Sequence, residues 1–272
     1  MRRFILVPFL SLCAGVAFAV APAMPRYPAL APDGSRIAFS WQGDIWVAPA
    51  TGGTAQRITA NPGYDHHPVW FPDGKRLAFT SDREGSDEVF VVALGGAAPQ
   101  RLTFHEAPDL AQGVLGGDVV FTSRRHEAWS RMPAVYRISA AGGTERLACK
   151  VLALEAIPSP DGRYLALVRG GTPADRRHYR GAANRDIWLY ELATGRLDRL
   201  TSTAWDEDGV AWAGNGVLVF RSDNGGPDRN LFRLDLTTRK VTQLTHHEGA
   251  DIRGPSASTD GTLAAYELWD AV

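Results

Sequence analysis

A motif that returns about every 40 residues constrains this chain more than any other feature. One copy runs Pro28-Ala29-Leu30-Ala31-Pro32-Asp33-Gly34, then Arg36-Ile37-Ala38-Phe39, Asp44-Ile45-Trp46-Val47, Gly52-Gly53 and Arg57-Ile58-Thr59. The next runs Pro68-Val69-Trp70-Phe71-Pro72-Asp73-Gly74, then Arg76-Leu77-Ala78-Phe79, Glu88-Val89-Phe90-Val91, Gly95-Gly96 and Arg101-Leu102-Thr103. A fourth unit keeps Pro160-Asp161-Gly162, Leu165-Ala166-Leu167, Asp186-Ile187-Trp188-Leu189-Tyr190 and Arg199-Leu200-Thr201. The third and fifth replace the turn by Gly116-Gly117-Asp118 and Gly214-Asn215-Gly216, yet retain later strands such as Ala134-Val135-Tyr136-Arg137-Ile138 and Asn230-Leu231-Phe232-Arg233-Leu234. The sixth opens with Pro255, Asp260-Gly261 and Leu263-Ala264-Ala265-Tyr266. A period of this length belongs to blades, solenoids or arrays.

Each unit reads as four short strands. Pro-Asp-Gly suits a tight turn, because proline presets φ, aspartate bonds the backbone ahead and glycine accepts positive φ. Ile45 and Val47 alternate with Trp46, the period of two expected of a strand. Four-stranded units repeated in this way pack face to face around an axis, so the expected fold is an all-β propeller of about six four-stranded blades. The expected blades cover about 27–59, 67–103, 107–148, 155–201, 209–245 and 254–272, the last truncated. Two strands are missing from that sixth blade, so the ring is expected not to close. The aromatics Phe39, Trp46, Trp70, Phe79, Trp188 and Trp212 fall at strand positions and are assigned to the core between blades.

Residues 1–19 have the pattern of a signal peptide: Arg2 and Arg3, an apolar run over 4–18, and Ala17-Phe18-Ala19 as a cleavage site. Residues 20–272 are then the propeller, periplasmic or secreted, with no membrane span after signal removal. Cys13 would leave with the signal, so Cys149 is the sole remaining cysteine and no intrachain disulfide is expected. With 29 basic and 30 acidic residues the net charge is −1, and no global field favours nucleic acid as a partner.

The repeats resemble the TolB-type propeller repeat, and more closely the amino-terminal propeller of tricorn protease and its secreted relatives. The resemblance is carried by Tyr27 to Gly34 with Ile37-Ala38-Phe39, by Tyr64-Asp65-His66-His67-Pro68-Val69-Trp70, and by Tyr179-Arg180-Gly181-Ala182-Ala183-Asn184-Arg185-Asp186-Ile187-Trp188. It implies a serine peptidase acting on short peptides, in which a six-bladed propeller precedes a seven-bladed one, a PDZ domain and the catalytic domains. The first propeller would then guide or filter peptides for a downstream peptidase domain of the same parent protein. The family's catalytic residues belong to those later domains, so none is carried over to this chain. Two alternatives stand beside this reading: a TolB-like periplasmic protein-binding scaffold, and the propeller of a prolyl-oligopeptidase or dipeptidyl-peptidase relative.

The sequence has no Gly-x-Ser-x-Gly elbow and no His-Glu-x-x-His zinc signature, so no catalytic centre, metal or cofactor is expected within the chain. The strand order places all seven histidines, His66, His67, His105, His126, His178, His246 and His247, on links at one rim, together with Asp65, Glu106, Asp109, Asp206, Glu207, Asp208, Glu248 and Asp251. Arg124 and Arg125 fall on a link at that rim, and a guanidinium pair suits the bidentate grip of a peptide carboxylate. The resemblance adds a similar role, since the tricorn group uses an arginine pair from its first propeller in this way. A fourth-blade insertion over 170–185, with Arg176, Arg177, His178, Tyr179, Arg180 and Arg185, is a further candidate contact for a peptide or an acidic neighbouring domain.

Overall fold

The computed structural model describes residues 2–8, 25–126, 132–171, 179, 181–224 and 226–270. Among these residues every regular element is a strand. Strand β1 (Arg2–Pro8) precedes the first blade, which comprises β2 (Arg26–Leu30), β3 (Arg36–Trp41), β4 (Asp44–Pro49) and β5 (Gln56–Arg57). The second blade is β6 (Asp65–Trp70), β7 (Arg76–Ser81), β8 (Glu88–Ala93) and β9 (Gln100–Arg101). The third is β10 (Asp109–Leu115), β11 (Asp118–Ser123), β12 (Ala134–Ser139) and β13 (Arg146–Leu147). The fourth is β14 (Glu155–Pro158), β15 (Tyr164–Arg169), β16 (Asp186–Glu191) and β17 (Leu197–Arg199). The fifth is β18 (Glu207–Trp212), β19 (Val217–Ser222), β20 (Asn230–Asp235) and β21 (Val241–Gln243), followed by β22 (Ala250–Ala257) and β23 (Leu263–Asp270). Each blade pairs its strands in sequence order, all antiparallel.

The fold is an all-β propeller, with five four-stranded blades and a smaller three-stranded sheet in place of a full sixth blade. The sixth unit supplies only β22 and β23, and β1 takes the third place, with Arg2 opposite Trp269 and Pro8 opposite Leu263. The expectation of an open ring is thus corrected for the uncleaved chain, whereas removal of residues 1–19 would leave β22 and β23 alone in the sixth sheet. The inner strand of the sixth sheet also seals onto the first blade: Leu30 N donates to Ser256 Oγ at 2.9 Å, and Thr259 N to Pro32 O at 3.1 Å. A segment remote in sequence fills the place that the truncated repeat leaves, and the residues that do so are those that read as a leader.

The repeated turn behaves as its chemistry demands. The glycine N–H donates to the residue three before it at Gly34, Gly74, Gly162 and Gly261, at 2.8 to 2.9 Å. In all four turns the aspartate accepts from the backbone two residues on, as when Lys75 N donates to Asp73 Oδ1 at 2.8 Å. These glycines have φ between 63° and 70°, a conformation that strains a side-chain-bearing residue.

The core lies between adjacent sheets rather than at the axis. Phe71, Val89 and Leu102 of the second blade pack against Val119, Phe121 and Ile138 of the third, all nearly solvent-free. Phe39, Trp70, Phe79 and Trp212 are buried, in agreement with their assignment, while Trp46 and Trp188 remain half-buried at the blade surface. Two tryptophans also tie inner strands together, since the indole N–H of Trp70 donates to Ala29 O and that of Trp212 to Ile157 O, each at 2.9 Å.

Candidate functional site

The six inner strands β2, β6, β10, β14, β18 and β22 enclose a central channel of about 990 Å³. Toward the turn end its wall is apolar, with Val69, Val114 and Ile157 among its residues; toward the other end it carries Arg26, Tyr27, His67, Glu155, Arg221 and Arg253. Five inner strands are kinked by register shifts, and two of the kinks hold non-glycine residues at positive φ, Tyr27 at 54° and His67 at 50°. Each of these precedes a proline, which opposes the helical conformation and helps fix the bulge.

Tyr27, His66 and His67 form one cluster where blades one and two meet the channel. The rings of Tyr27 and His67 lie 4.0 Å apart, His66 Nδ1 meets His67 Nδ1 at 2.6 Å, and His66 Nε2 meets Asp87 at 3.1 Å. Burial, reinforced by the charge that His66 can carry, pushes the His67 imidazole down to about 3, so His67 is neutral in ordinary buffers. The Nδ1–Nδ1 contact requires one ring to donate and the other to accept, so the tautomers of His66 and His67 are linked. Burial, with Tyr64 next, raises the Tyr27 phenol.

On the far side of the channel, Asp208 accepts from both Arg221 and Arg185, the latter at 2.6 Å. Burial opposes the Asp208 charge, but these guanidiniums outweigh it and hold the carboxyl well below its usual range. Glu155 shifts the other way, raised by burial and by the neighbouring Asp208.

Beneath the rim, three blades repeat one ion-pair plan between their third and fourth strands. Asp44 pairs with Arg57, Glu88 with Arg101 and Asp186 with Arg199. A second pair joins Asp65 to Arg83 in blade two and Asp109 to Arg125 in blade three. Each of these arginines closes a Ser-x-Arg turn in which its N–H donates to the serine, Ser81 for Arg83 and Ser123 for Arg125, both at 3.3 Å. In blade five the corresponding segment is Ser222-Asp223-Asn224, with Asn224 N donating to Ser222 Oγ at 3.1 Å but with Asn224 at a positive φ of 24° that Arg83 and Arg125 do not share. No arginine stands there, and the facing Glu207 bonds Thr203 instead. Burial, against hydrogen bonds from Thr203 and Thr201, raises Glu207 to about 7.

This pattern decides how the sequence-predicted residues stand. The Arg125 side chain is 2% exposed and committed to Asp109 and Glu145, stacked against Phe121 and Tyr136. Its neighbour Arg124 is exposed, so the two do not form one receptive fork. The reason is the repeat itself: Arg125 is the counterpart of Arg83, and adjacency to Arg124 is incidental. His66 and His67 lie inside β6 rather than on a link, while His105, His126, His246 and His247 lie on links at the rim as expected. His178, with Arg176, Arg177 and Arg180 of the fourth-blade insertion, falls outside the described residues. Arg185 is buried against Asp208. Among the described residues no group of three or more His, Cys, Asp and Glu is arranged to hold a metal ion.

Residues 22–269 match the family described as the tricorn protease N-terminal beta propeller domain. The chain belongs to that family. It is 28% identical over 269 residues to tricorn protease homolog 1 of Streptomyces coelicolor, covering 94% of this chain and 24% of that protein. The crystal structure of the tricorn protease superposes with a TM-score of 0.75 at 17% identity, over 87% of this chain and 24% of that one. TolB from Acinetobacter baumannii gives a TM-score of 0.66 at 23% identity, over 86% of this chain and 57% of that one, a likeness of fold. This chain thus spans about a quarter of the length of its tricorn relatives.

Proposed function

We propose that this tricorn-type propeller is an exported, non-catalytic module that guides or filters peptides for a peptidase domain of the same parent protein. The observation that carries the reading is the central channel of about 990 Å³, apolar at one end and charged at the other. A conduit of that character suits extended peptides, whose side chains are mixed, better than a folded partner. Family membership supplies the peptidase context, and the leader pattern over 1–19 supports export to the periplasm or beyond; cleavage of that leader would take β1 away and leave β22 and β23 as the sixth sheet. Within this reading Arg124 is the rim residue that meets a peptide carboxylate, and Arg125 holds the turn beneath it. No helix among the described residues is long and apolar enough to cross a membrane.

The test is paramagnetic relaxation of the isotope-labelled chain by a spin-labelled octapeptide. Broadening should concentrate on β2, β6, β10, β14, β18 and β22. Broadening confined to the outer strands β5, β9, β13, β17 and β21 would contradict passage through the channel.

A further inference from the structure

Each inner strand pairs on one side only, so its other edge is a sheet edge beside the channel. Such an edge is a ready template for an added strand, and peptide recognition often exploits it. A conduit with six such edges would hold an extended peptide rather than pass it. Three independent devices work against that here.

Proline removes a backbone donor in four of the inner strands, at Pro28, Pro68, Pro158 and Pro255. Bulges interrupt the ladder in β2, β6, β10, β18 and β22, leaving β14 as the regular one, and β14 is a strand that carries proline. Side chains from the preceding blade then take up donors that remain. Tyr27 N donates to Glu267 at 2.6 Å, Ala111 N to Thr80 Oγ1 at 2.9 Å and Ala156 N to Gln112 Oε1 at 3.2 Å. Gly209 N and Val210 N both donate to Glu155, each at 3.1 Å. The two inner strands without proline, β10 and β18, are among those whose donors are capped. Close packing reinforces the seal, since a Cβ on Gly113 of β10 would stand 2.6 Å from Pro158 Cδ of β14.

We infer that the channel wall is finished against strand pairing, with Glu155, Gln112 and Thr80 as capping residues, so that an extended peptide slides through without being gripped by its backbone. The inference rests on the peptide-conduit reading and specifies its selectivity: side chains and ends, not main-chain pairing, decide what lingers.

The experiment is fluorescence anisotropy with a labelled, end-blocked octapeptide of alternating serine and threonine, which has no charge for the rim to hold. Glu155→Ala uncovers the donors of Gly209 and Val210, and Gln112→Ala uncovers that of Ala156. Each variant is first shown to unfold cooperatively. Two recovered hydrogen bonds should tighten binding to Glu155→Ala by about tenfold over the unaltered chain, with a smaller gain for Gln112→Ala. Methylating alternate peptide amides should abolish the gain. Where Glu155→Ala fails to fold, Gln112→Ala decides. No gain in a folded variant, a gain indifferent to amide methylation, or equally tight binding by the unaltered chain would overturn the inference. Failure of the conduit reading itself would show separately, as spin-label broadening on the outer strands.

Discussion

Restoring the missing guanidinium beside Glu207, by Asn224→Arg, should stabilise the chain at pH 8 and leave it almost unchanged at pH 4.5. Glu207 is 2% exposed, and Asp186 and Asp206 stand close enough to oppose its charge. Its carboxyl therefore titrates at about 7 in the folded chain against 4.5 ordinarily. Below 4.5 both folded and unfolded forms hold the proton and nothing is lost. As pH rises from there, the unfolded chain ionises while the folded one does not, so stability falls until the folded group also ionises near 7. At about 1.4 kcal/mol per pH unit, this one carboxyl withdraws on the order of 3 kcal/mol between pH 4.5 and 8. Glu207→Gln should abolish that slope while keeping the shape of the side chain. Asn224→Arg should recover about 1–2 kcal/mol at pH 8, the worth of a charged hydrogen bond less the cost of placing arginine at the positive φ that Asn224 holds, by approaching the Asp65–Arg83 and Asp109–Arg125 arrangement. The assay is urea unfolding of the three proteins at half-unit steps from pH 4.5 to 8. Other groups titrate identically in all three, so the differences between curves isolate Glu207. Parallel curves would refute the reasoning.

Removing the guanidinium of Arg125 by Arg125→Ala should cost about 3–5 kcal/mol in thermal or urea unfolding, because it strands Asp109 in the interior, whereas Arg124→Ala should stay within about 0.5 kcal/mol. In peptide titrations Arg124→Ala should weaken a free-carboxylate peptide more than its amidated twin, and equal effects would remove Arg124 from the rim contact. Phe79→Ala, which empties a fully buried site stacked on Phe90, should cost about 3–5 kcal/mol by denaturant titration.

How much of this was legible in the sequence follows from how local each feature is. Turn residues and strand alternation act within a unit, so the blades could be read directly from Pro-Asp-Gly and the alternating Ile45-Trp46-Val47 pattern. Pro68 reads as a strand start and leaves His66 and His67 on a link; the bulge at His67 instead carries β6 through the proline. Arg124-Arg125 read as a pair because adjacent cations invite it. Aligning Ser81-Asp82-Arg83 with Ser123-Arg124-Arg125 is the signal that would have separated them. The caps on the channel wall had no such signal: Glu155 reaches Gly209, 54 residues away, and Gln112 reaches Ala156, 44 away. The pairing of β1 with β23 spans almost the whole chain, and no unit-by-unit reading could supply it.

The central claim, that peptides enter the channel, is tested most directly by photolabelling. An end-blocked octapeptide carrying benzophenone is irradiated with the chain in a Cys13→Ser background, and the adducts are mapped by mass spectrometry. The same is done after Thr259→Cys, at the turn-side mouth, has been coupled to a bulky maleimide; Cys149 is buried and should not react. The account predicts adducts on wall residues such as Tyr27, Gln112 and Ile157, and their suppression by the plug. Adducts on the outer strands, or wall adducts that the plug leaves undiminished, would contradict it.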